Sequence, residues 1–157
     1  MTTPGPGCPR GVCTAFNGSR RLAHGPLAAV VAAAKAAFDR SRTSAVLVFE
    51  DATGDLIDVD YSGTPAAVLR VLTARESRGW PTRPTPCRAA PDGHRRAQDV
   101  TYRFTSALAG DLPGFEEAIR ALFGGDAARF AEHTRAWPRD VRTYAQQLAA
   151  PALGATA

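Results

Sequence analysis

The densest group of side chains able to do chemistry lies in the stretch EDATGDLIDVD, which places Glu50, Asp51, Asp55, Asp58 and Asp60 within a few residues of one another. Carboxylates at this density can hold a divalent cation through their oxygens. On a strand, Asp58 and Asp60 would share one face about 6.8 Å apart, so a single cation could contact both only with further ligands. The stretch also lacks the Asp, Asn and Gly order and the terminal Glu of an EF-hand loop. A solvated strand face beside a charged hairpin accounts for the same residues, and no metal ligand is assigned among them.

The thiols and imidazoles are sparser. Cys8, Cys13 and Cys87 form neither a CxxC pair nor an even set, so unpaired thiols are expected. His24 stands beside a helix start, His94 in a proline-rich segment, and His133 next to Glu132. Cys87 and His94 are close enough in sequence for a nucleophile and its base, but a proline-rich segment supplies neither a rigid orienting partner nor a dry pocket. The GxSxG, HExxH and GxxxxGK[ST] patterns do not occur. GPGCPRG, near the start, follows no strand and puts prolines where amide N–H groups would have to face phosphate. No catalytic residue and no cofactor is assigned.

Charge is concentrated in one place. The net charge is +4, and Ser77 to Arg96 alone holds five arginines against the single acid Asp92, so the remainder is balanced. Arg78, Arg83, Arg88, Arg95 and Arg96, with Trp80 among them, could lie along a phosphate backbone and stack on an unpaired base. Solvated charge on a flexible hinge explains them as well, because only one aromatic is interleaved and prolines dilute the arginines. Eighteen of the nineteen basic residues are Arg and only Lys35 is Lys. No run approaches the ~18 apolar residues of a membrane span, and the N-terminal residues lack the apolar core of a secretory signal, so a cytoplasmic protein is expected.

The elements that must position these groups follow from periodicity. Residues 1–11, rich in proline and glycine, read as a disordered tail. VCTAF is a strand; Asn17-Gly18 suits a tight turn with positive φ at both positions; SRRLAH returns. From Pro26 the period changes, and Leu27, Val30, Val31, Ala34 and Phe38 form one helical stripe. AVLVFED is apolar on both faces, as a central strand is, and LIDVDY alternates, with Ile57, Val59 and Tyr61 opposite Asp58 and Asp60. Thr64-Pro65 opens a second helix through Val68, Leu69 and Leu72. Residues 12–76 thus read as a ββαββα domain, a half-solvated sheet covered on one face by two helices. Residues 77–96 read as a Pro/Arg-rich linker, 97–150 as a small all-α domain of about four short helices, and 151–157 as a tail. The fold class is α+β.

Within the helical half, GDLPGFEEAIRAL (110–122) and GDAARFAEHTRAW (125–137) repeat in register. In each copy Gly ends one helix and Asp caps the next, Phe115 and Phe130 pack inward, and the Glu117–Arg120 and Glu132–Arg135 spacings allow ion pairs toward solvent. Every repeated residue has a task in building helices, so the repeat reads as scaffolding and not as a duplicated site.

TAFNGSRRLAHGPLAAVVAAAKAAFD, VLVFEDATGDLIDVDYSGTPAAVLRVL and the region from RRAQDVTYRF to VRTYAQQLA resemble the bacterial family catalogued as domain of unknown function 2239. The resemblance covers roughly Val12 to Leu72 and Arg95 to Leu148, and it implies no catalytic residues because that family has no assigned reaction. Members of that family usually carry, between the halves, a basic Gly-Arg-Pro stretch and a strand-and-helix segment similar to a ribbon-helix-helix DNA binder. Here RGWPTRPTPCRAAPDGH stands in its place, so the resemblance transfers no DNA-binding role. The chain reads as a non-enzymatic intracellular binding or regulatory module with a protein partner. Two other classes stay open: weak nucleic-acid binding through the Arg-rich linker, and a metal-dependent enzyme using the acidic hairpin.

Overall fold

The computed structural model describes residues 12–42, 45–77 and 93–154. Strand β1 (Val12–Asn17) and strand β2 (Arg20–Pro26) form an antiparallel hairpin. The turn differs from expectation. Asn17 stays in the ladder opposite Arg20, the loop is Gly18-Ser19, and only the glycine takes a positive φ, 57°. The cause is a β-bulge: Ala15 faces Ala23 but Phe16 faces Arg21, so Leu22 is the extra residue that sets where the loop closes.

Helix α1 (Leu27–Arg40) returns along the hairpin, with Pro26 as its N-cap one position before the first helical turn expected for it. Strand β3 (Val46–Glu50) then pairs antiparallel with β1, and β4 (Leu56–Ile57) pairs with β3, giving the order β2-β1-β3-β4. The alternation read in LIDVDY survives as burial, with Val59 inside and Asp58 and Asp60 exposed. Only its first two residues enter the ladder, however. Asp60 accepts the Ser62 amide at 2.8 Å, a local turn that competes with strand pairing. Helix α2 (Pro65–Ser77) opens as predicted, the Thr64 hydroxyl accepting the Ala67 amide at 3.3 Å.

One face of the sheet packs against these two helices. Cys13, Ala15 and Val48 from the strands meet Val30, Val31 and Ala34 of α1 and Val68 and Leu72 of α2. Lys35, the only lysine, is buried on α1 beside the Phe38 ring and pairs with Asp39.

The expectation of a half-solvated sheet is overturned by the other face. Helices α3 (Gly93–Leu108), α4 (Phe115–Gly124), α5 (Ala127–His133) and α6 (Arg139–Ala149) form one cluster with it. Phe16 and Phe49, both essentially inaccessible, point away from α1; both meet Phe104 of α3, at ring-centroid distances of 5.3 and 5.2 Å, and Phe16 also meets Tyr144 of α6 at 5.6 Å. Strands whose alternate residues are buried on both sides, Cys13, Ala15 and Val48 on one and Phe16 and Phe49 on the other, leave neither face to water. Helix α3 also starts four residues before the expected boundary, so Arg95 and Arg96 are helical; the last proline before them is Pro91, and nothing after it opposes a helix. Among the described residues, no helix is long and apolar enough to cross a membrane.

The internal repeat divides into one regular and one irregular copy. Gly125 ends α4 at φ 72°, and Asp126 caps α5 by accepting the Arg129 amide at 3.0 Å, as expected. In the first copy Asp111 is exposed and the cap of α4 is Gly114, at φ 78°, three residues later. Leu112 and Pro113 lengthen that turn and carry Asp111 away from the helix end. Phe130 is buried and Phe115 half-buried, and the ion pair on α4 is Glu116–Arg120, not Glu117–Arg120. Asp111, Arg120 and Arg135 all face water and do not converge on a site with Asp126.

Candidate functional site

Where β1, β2, the turn after β3 and α6 meet, polar groups cluster on a single carboxylate. Thr14 and His24 sit directly opposite each other on the paired strands, so their side chains leave the same face. Thr14 faces Phe49 on β3 in turn, which brings Asp51, two residues beyond, to the same end of the sheet. Asp51 Oδ1 accepts from the Thr14 hydroxyl at 2.8 Å and from the Tyr144 hydroxyl at 2.6 Å, while Oδ2 accepts from His24 Nε2 at 2.9 Å. The backbone fixes the same residue, the Asp51 amide donating to the Val12 carbonyl at 3.1 Å.

The three donors differ in exposure. Thr14 is fully buried and Tyr144 almost so, whereas about half of the His24 side chain meets water. Burial first, and then the hydrogen bond to Asp51, hold the Tyr144 phenol well above the ordinary tyrosine range, so its proton stays in the bond. Asp51 therefore connects a sealed hydroxyl pair to a surface imidazole. Such a carboxylate can orient the ring.

The remaining acidic residues are dispersed and do not form one centre. Glu50 accepts from the Thr53 hydroxyl at 2.9 Å, and Asp55 pairs with Arg103 of α3. Asp58 and Asp60 lie exposed beyond β4. Among the described residues, no group of three or more His, Cys, Asp or Glu side chains is placed to hold a metal ion. Cys13 is buried in the sheet core, and Cys8 and Cys87 lie outside the described residues.

The arginine segment is equally scattered. Arg78, Trp80, Arg83 and Arg88 lie outside the described residues. Arg95 is exposed on α3. Arg96 donates to the Ala52 carbonyl, from Nη2 at 3.1 Å and Nε at 3.4 Å, which ties α3 to the turn that carries Asp51. That turn is held closely from above: Gly54 has φ 69°, and a Cβ there would stand 2.6 Å from the Val100 carbonyl oxygen.

Sequence reasoning placed Asp51 in the wrong company, with the acidic hairpin, and passed over Thr14 and Tyr144 as chemistry. Two signals pointed to them. A threonine inside a buried apolar strand and a tyrosine on the inner stripe of a helix each need an acceptor where water is excluded. No curated protein and no solved structure matches the chain. The family described as "Uncharacterized protein conserved in bacteria (DUF2239)" matches residues 12–91 and 83–149. Together these ranges cover both halves of the fold, and the chain belongs to that family.

Proposed function

We propose that the protein is a binding or regulatory module of the bacterial interior that works through a partner and not by turnover. The observation that supports this reading is the use made of Asp51. Its two oxygens take three side-chain donors, two of them sealed in the core, and the bonds join four segments of the chain. Asp55–Arg103 and Arg96–Ala52 repeat the pattern at the same turn. Polar groups near the best candidate site thus serve chiefly to fasten the sheet to the helices, leaving the surface to recognition.

The test combines capture and turnover. Immobilised full-length protein should retain a defined partner that rebinds when purified, with no reaction detected in screens of hydrolase, transferase and oxidoreductase substrates. Robust turnover abolished by Asp51→Asn or His24→Gln, in variants that keep the wild-type fold, would reject the reading.

A further inference from the structure

A second concentration of charge lies at the opposite end of the sheet from Asp51, outside the arginine segment that the sequence singles out. The chain path brings it together. Helix α1 is about 21 Å long and β2 about 23 Å, and α1 starts where β2 ends, so its last residue returns to the level of the hairpin loop. The Gly18 amide in that loop donates to the Ala45 carbonyl at 3.0 Å, which fixes the α1–β3 connection against the hairpin tip. On the other face, the Arg21 amide donates to the Asp140 carboxylate at 3.0 Å, which sets the first turn of α6 beside the same tip.

Six arginines gather there: Arg20 and Arg21 from the hairpin, Arg40 and Arg42 from the end of α1, and Arg139 and Arg142 from the first turn of α6. All are exposed except Arg142, which is half-buried and donates to the Arg135 carbonyl at 3.1 Å. Among the described residues, none of the six has a carboxylate partner for its side chain. The local acids do little to offset them. Asp39 is matched by Lys35, and Asp140 is occupied by the Arg21 amide.

From this placement we infer that the hairpin end of the sheet is a docking surface for the phosphate backbone of a nucleic-acid duplex. The inference rests on the binding-module reading and names its partner. The surface extends from the α1 layer across the sheet end to the α6 layer, which is too broad for a single phosphate group and suits a chain of them. Guanidinium groups bind phosphate oxygens through two parallel N–H donors. An anionic membrane fits less well, because surface binding to lipid adds an apolar anchor, and the exposed large apolar side chains among the described residues, Leu56, Val71, Tyr102 and Phe123, lie on other elements. Among the described residues this end also carries no large exposed ring, which favours a duplex over a single strand, since proteins hold single strands by stacking bases on aromatic side chains.

The experiment is a salt-titrated binding measurement on the full-length protein with a mixed-sequence DNA duplex. Three proteins are compared: wild type, a tip variant with Arg20, Arg21, Arg42 and Arg139 all changed to Gln, and a linker variant with Arg78, Arg83 and Arg88 changed to Gln. Wild type should show a log–log salt slope of up to about −5, and the tip variant should lose at least about tenfold in affinity with a shallower slope. The linker variant should keep most of its affinity. Circular dichroism checks that the tip variant is folded, and single Arg20→Gln and Arg139→Gln variants give the same direction if it is not. The inference falls if wild type does not bind duplex, if the linker variant alone abolishes binding, or if vesicles of anionic lipid compete for the tip better than duplex does. Absence of duplex binding together with a defined captured protein partner would remove this surface while leaving the binding-module reading in place.

Discussion

Tyr144 donates its hydroxyl to Asp51 across 2.6 Å, linking the second turn of α6 to the turn after β3 over a sequence separation of 93 residues. This bond and the ring contacts of Tyr144 with Phe16 and Phe104 come from one side chain. The helical half is therefore fastened to the sheet by a polar bond made inside an apolar contact, where water competes least.

Replacing Tyr144 by Phe keeps the rings in place and removes only that bond. Asp51 retains Thr14 and His24, so Tyr144→Phe should destabilise the fold by ~1.5–3 kcal/mol, the range for hydrogen bonds to charged groups. Thr14→Val removes the neighbouring donor to the same oxygen, so the double variant should lose less than the sum of the two singles. Urea midpoints of the four proteins check this, and strict additivity would show that the two hydroxyls do not share an acceptor.

A second prediction concerns the close passage of the turn under α3. Gly54→Ala must adopt a left-handed φ of 69° and also insert a methyl 2.6 Å from the Val100 carbonyl oxygen. Left-handed backbone alone costs roughly 1–2 kcal/mol for an L side chain, and the backbone contact has no flexible atom to yield. Gly18→Ala has a similar φ of 57° but open space around it. Thermal unfolding should place Gly54→Ala clearly below Gly18→Ala, and equal losses would mean that the turn does not press on α3.

How much of this was legible in sequence depends on the range of the interaction. The helical stripes of Val30, Val31 and Ala34, and of Val141, Tyr144 and Ala145, were readable because each is a local periodicity. The docking of the two halves was half-readable: a strand apolar on both faces from Val46 to Phe49 requires a second cover, but periodicity does not say which helices provide it. The role of Asp51 was not readable, because its neighbours in sequence are acids and its neighbours in space are Thr14, His24 and Tyr144. A carboxylate's task is set by the donors that reach it, and here they come from three other segments of the chain.

The repeat offers a sharper test of local reasoning. Its two aspartates look equivalent in sequence, yet only Asp126 accepts a helix amide, while Asp111 faces water. Asp126→Ala should cost ~1 kcal/mol, the usual loss on removing an N-cap, and Asp111→Ala should lie within ~0.5 kcal/mol of wild type. Chemical denaturation of both variants decides the matter, and equal losses would place a second cap in the first copy.

Alkaline stability brings the two buried phenols together. Burial and then the charge of Asp58 push Tyr61 up to about 12, and its hydroxyl has no hydrogen-bond partner among the described residues. Tyr144 is raised in the same direction by burial and by its bond to Asp51. In the unfolded chain both ionise near the ordinary value of 10.0, whereas the native state keeps both protons above it. Below that pH the two states carry the same protons and stability does not depend on these groups. Above it the unfolded state binds fewer protons, so stability falls as pH rises. Denaturation midpoints should therefore hold steady to about pH 10 and then drop, with phenolate absorbance from these residues appearing together with loss of helical signal. Tyr61→Phe should flatten the drop while leaving stability at neutral pH equal or slightly higher, because it removes a buried hydroxyl that has no partner. Tyr144→Phe should flatten the drop as well, but at a cost at neutral pH. Phenolate forming at Tyr61 or Tyr144 in protein that is still folded near pH 10 would show that water reaches these rings, and the sealed junction between sheet and helices would have to be redrawn.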